Sequence, residues 1–280
     1  TDASASGETE ISGGTQIPQE TQTSQETQIA EEDQAEEIFT DHLMDDPAPA
    51  AEEGLNEINL STVSVEQVYL LTNAQFVSTG SIQTGTGKGY RLTGSGQDVS
   101  ARTVYVGDNT YDGKTYSGQQ DISVDLAGTG SELSVLQINS IAKEDGGFGS
   151  VMLSVSKSSR IGTLRLMENA KAVLTLSEAL KIGNVELAAG SSLTIQAGSY
   201  SFTVTESTTG SGSIALSGSN LVFHDLDVGS ITLDTAVMNA SGCKVAAKDN
   251  LTVNSSTVQN ASLLGFKEDV TVARILSFTG

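Results

Sequence analysis

An aspartate-rich loop is the first place in this sequence where side chains could hold a metal ion. Asp108 and Asp112 occupy positions 1 and 5 of a segment with glycine at position 6, as in the calcium loop of an EF-hand. The bidentate acid of such a loop is missing, because position 12 is Gln119. Asp121 follows shortly after it. The hypothesis is a calcium site formed by Asp108, Asp112 and Asp121. The alternative is a solvated turn, which uses the same Asp, Asn and Gly residues.

Residues 223–227 are the place after the N-terminal tail where a histidine and acids cluster. On a strand, Asp225 and Asp227 would share one face, with His224 on the other. Two carboxylates on one face are what a glycoside hydrolase or a lyase requires. The five arginines are scattered along the chain, so a groove that adds basic groups to these acids is hard to assemble. We therefore predict no catalytic residues.

A glycine-rich segment at residues 85–89 includes Lys88 and is similar to part of a phosphate-binding loop. The P-loop pattern needs glycine at the place where Ile82 stands, and Ser or Thr after the lysine, where Gly89 stands. We interpret the segment as a flexible turn.

Cys243 is the only cysteine, so the chain has no internal disulfide. With His42 and His224 as the only histidines, a Cys–His nucleophile has little support. We expect a small, partly buried thiol.

Charge divides the chain into two parts. The net charge is −21, and residues 1–54 hold fifteen acids and no Lys or Arg, whereas residues 55–280 hold 20 acids and 14 bases. This acidity argues against nucleic acid and against anionic membrane surfaces as partners. No apolar run approaches the roughly 20 residues that span a bilayer, so we expect no membrane insertion.

Residues 1–54 read as a disordered acidic spacer. The hexads TQIPQE, TQTSQE and TQIAEE follow one another from Thr15 and contain little that a core could bury. Within the spacer, EEIFTDHLMDD could form a short helix, either transient or folding on a partner. Residues 55–120 are rich in loops around short strands, and we interpret them as an N-terminal cap region for residues 121–280.

From residue 121 onward, apolar residues alternate with polar ones over many short segments. Gly, Ser or Asn separate these segments at intervals of roughly ten residues, which is typical of a series of strands. We predict that Leu193 and Ile195 point into the core while Thr194 and Gln196 face outward. The alternating apolar pairs include Val124/Leu126, Leu133/Val135, Val151/Leu153, Leu164/Leu166, Leu174/Leu176, Val185/Leu187, Leu193/Ile195, Phe202/Val204, Ile214/Leu216, Leu221/Phe223, Ile231/Leu233, Leu251/Val253 and Val270/Val272.

A shorter pattern, x-Gly-x-aliphatic-x-Leu, recurs within these strands. Its glycines are Gly149, Gly162, Gly183, Gly212 and Gly229, and the intervals between them are unequal. This spacing is too irregular for a propeller and favours a solenoid whose turns differ in loop length. The alternative is a tandem pair of β-sandwich modules, whose hairpins would give the same alternation.

Residues 121–280 resemble the parallel β-helix regions of bacterial surface proteins, the pectin-lyase-like shape of adhesins and autotransporter passengers. The segment RTVYVGDNTYDGKTYSGQQDISV also resembles the entry to such helices. The resemblance implies a right-handed parallel β-helix. It also implies a non-enzymatic protein, secreted or at the cell surface, that binds a host or matrix glycan or protein without a cofactor. The alternative function is a β-helix polysaccharide lyase or glycoside hydrolase. Of the Asn-Thr-Asp, Asp-Asp, Gly-His-Gly and Arg-Ile-Lys elements that such hydrolases carry, only Asp45-Asp46 is present, and it lies in the spacer.

The last residues, 270–280, remain strand-like and apolar, without a polar cap. A solenoid with an open end exposes its core and unpaired backbone groups. We therefore expect the solenoid to continue beyond residue 280, and the isolated chain to self-associate through this end.

Overall fold

The computed structural model describes residues 54–72, 74–94, 102–266, 270–272, 274 and 276–279. The predicted spacer lies outside the described residues except for Gly54, as does the short helix within it. Within the described part, all regular elements are strands apart from one turn of 3-10 helix, Gly130–Glu132. The prediction of an all-β protein is therefore confirmed.

The strands follow one another along the whole described chain. Together they account for the alternating segments seen in the sequence. In chain order they are β1 (Leu55–Asn59), β2 (Gln67–Leu70), β3 (Gln75–Val77), β4 (Ile82–Thr84), β5 (Gly89–Thr93), β6 (Arg102–Val106), β7 (Asn109–Tyr111), β8 (Lys114–Tyr116), β9 (Ile122–Ala127), β10 (Leu133–Ile138), β11 (Ile141–Ala142), β12 (Phe148–Lys157), β13 (Ser159–Leu166), β14 (Lys171–Leu176), β15 (Leu180–Leu187), β16 (Ser192–Gln196), β17 (Phe202–Gly210), β18 (Ser213–Val222), β19 (Leu226–Val228), β20 (Ser230–Asn239), β21 (Lys244–Ala247), β22 (Leu251–Asn254), β23 (Ser256–Gln259), β24 (Leu263–Phe266), β25 (Val270–Val272) and β26 (Leu276–Thr279).

The strands pair in three parallel ladders. Ladder A joins β1, β5, β9, β12, β14, β16, β18, β20, β22 and β25. Ladder B joins β2, β6 and β10 to the second halves of β13, β15 and β17, and then to β19, β21 and β24. Ladder C joins the first halves of β13, β15 and β17 to the ends of β18 and β20, then to β23 and β26.

From β12 onward the chain visits ladders A, C and B in turn before it returns to ladder A. Each ladder therefore stacks strands from successive turns of the chain. This long, mostly parallel sheet is compatible with a β-helix-like solenoid. It does not match the tandem β-sandwich alternative, because sandwich strands pair antiparallel through hairpins.

The buried side chains stand in columns because the ladders keep their register from turn to turn. As predicted, Leu193 and Ile195 are fully buried, Thr194 is half-buried and Gln196 is exposed. Each inward side chain is therefore covered by its equivalents one turn before and one turn after. One such column in ladder A contains Tyr90, Val124, Leu153, Leu174, Ile195, Leu216, Leu233 and Val253, all buried.

The early turns are longer than the later ones, as the register partners in ladder A show. The long early turns run from Leu55 to Gly89 and from Gly89 to Ser123. The later turns are shorter and begin at evenly spaced partners, Ser150, Lys171, Ser192 and Ser213, and the turn from Ser213 to Ser230 is shorter still. The early turns are longer because strands outside the ladders are inserted between a ladder-B strand and the next ladder-A strand.

These inserted strands are antiparallel. β3 and β4 extend β2 into a three-stranded meander, β7 and β8 form a hairpin, and β11 pairs with the start of β12. We call residues 55–149, which contain them, the hairpin coils. The evenly spaced turns at residues 150–212 are the plain coils. Ladder A runs through both, so the cap region at 55–120 shares its ladders with the rest of the solenoid.

The recurring glycines lie at two different corners, which explains their irregular spacing. Gly162 and Gly183 lie where ladder C passes into ladder B, one turn apart. Gly149, Gly212 and Gly229 each come just before a ladder-A segment. A Cβ atom on Gly183 would lie 2.4 Å from the carbonyl oxygen of Gly162, so stacked turns can approach this closely only without a side chain. The pattern therefore marks corners and not a single repeat.

Burial decreases toward the last strands. Val270 and Val272 of β25 are 48% and 45% exposed, although their column partners Leu251 and Val253 are buried. Phe278 of β26 is 48% exposed. Self-association through this end stays a prediction.

Candidate binding surface

Tyrosine is concentrated in the hairpin coils. The chain has six tyrosines, and all except Tyr200 lie between residues 69 and 116. Tyr69 of β2 and Tyr105 of β6 are register partners on the outer face of ladder B. Tyr111 and Tyr116 belong to the hairpin β7–β8. In a chain with 5% aromatic residues and no Trp, this is the densest group of large amphipathic side chains in the sequence.

A small second core holds the inserted strands on the solenoid. Leu71, Val77 and Tyr116 are buried together, apart from the main core, and Tyr69 and Tyr111 pack against them. The meander and the hairpin therefore pack together as one layer, in which β3 and β4 continue the sheet beside β2 of ladder B. Because this layer has its own apolar contacts, it can hold outward-facing rings in fixed positions.

Three tyrosine rings are in contact on this layer. Tyr69 stacks on Tyr105 with their centroids 4.9 Å apart and their planes at 15°, while Tyr111 is tilted by 52° against Tyr69 at 5.1 Å. The Tyr69 hydroxyl donates to Gln67 Oε1 at 2.9 Å, and the Tyr111 hydroxyl donates to the Gly80 carbonyl at 3.0 Å. Burial, followed by the neighbouring phenols, raises the pKa of Tyr69 above its ordinary value. We call Tyr69, Tyr105 and Tyr111 the tyrosine cluster.

An open cavity of about 350 Å³ lies beside the tilted pair of rings. Its apolar walls come from Val65, Val77, Tyr69 and Tyr111, and Glu66 and Gln67 add polar groups. This combination of apolar walls with a few polar groups is typical of sites for small ligands or single ligand residues.

The outer face of ladder B continues from the tyrosine cluster into polar residues. Gln137 is the register partner of both Tyr105 and Arg165, and Arg165 pairs with Glu186 at 2.6 Å one turn further on. The hydrogen bond that Arg165 donates to Glu186 raises the pKa of this guanidinium above its ordinary value. Hydrogen-bonding groups therefore border the aromatic rings on the side of the plain coils.

The three acids of the predicted calcium site have different surroundings. Asp108 accepts hydrogen bonds from the backbone amides of Gly118 and Ala142, both at 2.9 Å. Asp112 is exposed at the tip of the β7–β8 hairpin, with the positive φ of a tight turn. In the part of the chain that the structure describes, no group of three His, Cys, Asp or Glu residues is placed to hold a metal ion. Calcium binding at these three acids stays a prediction, to be tested by titration with Ca²⁺.

The third acid, Asp121, joins the hairpin coils to β12. Its Oδ1 accepts the backbone amide of Ser150 at 2.8 Å and lies 3.3 Å from Lys143 Nζ. The hydrogen bond from the Ser150 amide, followed by the effect of Lys143, lowers the pKa of the Asp121 carboxyl below its ordinary value.

The glycine-rich segment at 85–89 is a turn that Asn56 holds. The Gly87 amide donates to Asn56 Oδ1 at 3.0 Å, and Asn56 Nδ2 donates to the Gly89 carbonyl at 3.1 Å. The segment leads into strand β5 and not into a helix. A phosphate loop needs a helix N-terminus at this point, so the local structure agrees with the turn interpretation.

The acids near His224 lie only partly in a regular strand. Strand β19 begins at Leu226, and Asp225 before it has a positive φ of 40°. Leu226 is buried between the exposed Asp225 and the half-buried Asp227, which is compatible with the prediction that the two acids share a face. Asp227 accepts from Lys244 Nζ at 2.6 Å, with Lys248 Nζ at 3.7 Å.

The structure also brings Cys243 to His224, a pair that had little support from the sequence. Cys243 Sγ lies 3.6 Å from His224 Nδ1. The two residues are separated along the chain by the same interval as the ladder-B partners Leu226 and Val245, so the turn length here could have revealed the contact. Asp225 accepts the Lys244 amide, so this carboxylate is engaged with the backbone beside the pair.

Comparison of the whole chain with protein-family models, with curated proteins and with solved structures gave no match. Among the described residues, no helix has the length and apolar character needed to cross a membrane.

Proposed function

We propose that this chain is a non-enzymatic protein of the adhesin type, secreted or at the cell surface. In this proposal its solenoid displays a binding surface for a glycan or protein of a host or matrix. The observation that carries the proposal is the tyrosine cluster with its adjoining cavity. Tyr and other rigid amphipathic side chains are the groups that binding surfaces favour, because they give a large contact area at little cost in conformational entropy.

The location of this cluster supports display. The strands that lengthen the early turns all lie in the chain between a ladder-B strand and the next ladder-A strand, and they add no residue to the parallel ladders. Inserted loops on a rigid scaffold are where binding functions concentrate. The plain coils then serve as a stiff support for the surface at their N-terminal side.

The alternative, a carbohydrate-active enzyme, has less support from the acids. Glycoside hydrolysis needs one carboxylic acid with a raised pKa to protonate the leaving group. The pKa of Asp227 is instead lowered, first by the hydrogen bond from Lys244. Asp125 is buried and accepts hydrogen bonds from Arg91, Ser154 and Ser156, which is a structural role.

We further infer that the solenoid is a right-handed parallel β-helix. Each turn leaves a ladder and returns to it parallel, and such crossovers within one sheet are right-handed in about 98% of cases. A crystal structure with a left-handed winding would overturn this inference.

One experiment tests binding of a glycan and its cleavage separately. The full chain is applied to an array of neutral and acidic glycans and of matrix proteins, and each bound glycan is then incubated with it. We expect binding without release of new reducing ends or unsaturated products. Release of either product would favour the enzyme, and an array with no binding would overturn the proposal. For localisation, antibody labelling of intact cells should detect the protein.

A further inference from the structure

We propose that the cavity beside Tyr69 and Tyr111 binds one pyranose ring of an uncharged glycan. The inference rests on the proposed function and names its ligand class and its site. The two rings meet at 52°, so they form a wedge and not a closed stack. A pyranose presents a flat face of C–H groups and an edge of hydroxyls, and aromatic faces with nearby polar groups complement both.

The polar groups of the cavity are suited to hydroxyls. Gln67 offers an amide and Glu66 a carboxylate, and both lie on the lining. Glu66 is exposed, so a ligand hydroxyl can reach its carboxylate from solvent. A charged acceptor binds a hydroxyl more strongly than a neutral one does.

The charge of the site selects against acidic sugars. None of the six lining residues is basic, and one, Glu66, is acidic. Residues 55–280 as a whole are also acidic, with 20 acids against 14 bases. A uronate or a sulfated sugar would bring its charge toward this carboxylate with no cation among the lining residues, so the site favours neutral rings.

The rings are held before any ligand arrives. Tyr69 is fixed on one side by its stack on Tyr105, and Tyr111 is fixed by its hydrogen bond to the Gly80 carbonyl, which bridges the hairpin to the meander. Ordering these side chains in advance removes an entropic cost from binding. At about 350 Å³ the cavity suits a single ligand residue.

The test uses the full chain and defined tetrasaccharides. Cellotetraose and chitotetraose are the neutral probes, and tetragalacturonate is the anionic one. Because the chain lacks Trp and five of its six tyrosines lie in the hairpin coils, its intrinsic tyrosine fluorescence reports on this region. We expect a saturable fluorescence change with at least one neutral probe and none with the anionic probe.

Three variants locate the site, with affinities measured by calorimetry. Tyr111→Ala removes one wall of the wedge and should weaken binding by roughly tenfold or more. Tyr111→Phe keeps the ring and should weaken it by less than about threefold. Tyr200→Ala removes the exposed tyrosine outside the hairpin coils and should leave affinity unchanged. Circular dichroism checks that each variant is folded. If Tyr111→Ala is not, Glu66→Ala takes its place: Glu66 is exposed on the lining, and loss of its carboxylate should weaken binding by roughly fivefold or more.

The outcomes separate this inference from the proposed function. Neutral-glycan binding that survives Tyr111→Ala in a folded protein overturns the site but not the function. Binding of tetragalacturonate alone, or of matrix protein alone, overturns the ligand class. Loss of binding in Tyr200→Ala to the same degree as in Tyr111→Ala also overturns the site.

Discussion

The hairpin coils and the plain coils share ladder A but use the chain differently. The turn from Leu55 to Gly89 takes far more of the chain than the turn from Ser150 to Lys171 does. The inward columns pass through both regions without a break, since Tyr90, Val124 and Leu153 continue one another. The additional chain of the longer turns lies outside the ladders, in the meander and the hairpin.

This difference shows that stacking constrains the ladder strands, whereas the segment between a ladder-B strand and the next ladder-A strand can vary in length. An inward residue must pack against its equivalents in two neighbouring turns, whereas an inserted segment must only return the chain to the start of the next ladder-A strand. The entropic cost of a longer loop grows slowly with its length, so such insertions are tolerated. In the hairpin coils the inserted strands form their own small core, and Tyr111 of the inserted hairpin completes the tyrosine cluster with Tyr69 and Tyr105 of ladder B.

The largest effect is expected from a charge placed in a column of the plain coils. Ile195 is fully buried, so Ile195→Asp should lower the free energy of unfolding by about 4 kcal/mol or more, because the new carboxylate has no partner. The control is its exposed neighbour, Gln196→Asp, with an expected change within about 0.5 kcal/mol. Urea unfolding followed by circular dichroism measures both. Equal changes would contradict the inward and outward assignment.

A second comparison concerns two ion pairs, one in the hairpin coils and one in the plain coils. Asp125 is buried and accepts from Arg91 at 2.8 Å, and it also binds two serines of β12, so it ties the hairpin coils to the plain coils. Asp125→Ala should cost about 2–4 kcal/mol, because it leaves the polar groups around it without their acceptor.

The matched pair in the plain coils is Arg165–Glu186, which is 40% and 44% exposed. Glu186→Ala should cost less than about 1 kcal/mol, because exposed ion pairs contribute little. Denaturant midpoints of the two variants give the comparison. A cost at Glu186 as large as that at Asp125 would show that position along the solenoid matters more than burial.

A third comparison sets two glycines against each other. Gly183→Ala places a methyl group 2.4 Å from the Gly162 carbonyl oxygen in the plain coils, and we expect a loss of about 2–3 kcal/mol. Gly113 at the tip of the hairpin has open space around it but a φ of +72°, so Gly113→Ala should cost only about 1 kcal/mol. Thermal unfolding of both variants measures the difference. A larger loss at Gly113 would mean that backbone conformation outweighs close packing here.

The stacked part of the fold was predictable because its signal is local. Alternation at residues such as Leu193 and Ile195 shows which side chains point inward before any partner is known. Parallel pairing was favoured over hairpins only indirectly, through the recurring glycines, the three prolines and the absence of Trp. Those glycines belong to two corners, and a sequence does not distinguish one corner from another until the register of the ladders is known.

The candidate binding surface was not predictable, because it depends on contacts between residues that are distant in the sequence. Tyr69 and Tyr105 are far apart in the sequence, and their stacking depends on a turn whose length no local pattern states. Alternation also did not reveal the break in the strand at Asp225, which has a positive φ immediately before β19. Only a count of tyrosines, five of six between residues 69 and 116, could have indicated this region.

The smallest effect is a difference in acid sensitivity between Asp121 in the hairpin coils and Asp227 outside them. Both carboxyls have a pKa below the ordinary 3.8. Each group therefore stabilises the fold above that value, and its contribution is lost as the pH falls through the lowered pKa, since protonation then removes the favoured charge. We expect the stability of the native chain to decline below about pH 4, and to decline less steeply in Asp121→Asn and in Asp227→Asn.

Salt should affect the stability contributions of the two carboxyls differently. The first cause for Asp121 is the Ser150 amide, a dipole at 2.8 Å, whereas for Asp227 it is the Lys244 ammonium at 2.6 Å, with Lys248 adding to it. Attraction between whole charges near the surface is screened by salt. At about 0.5 M NaCl the contribution of Asp227 should shrink, and that of Asp121 should persist. Urea midpoints at about pH 7 and about pH 3, with and without salt, measure both contributions. Equal salt sensitivity in the two variants would show that Lys143, and not the amide of the neighbouring turn, controls Asp121.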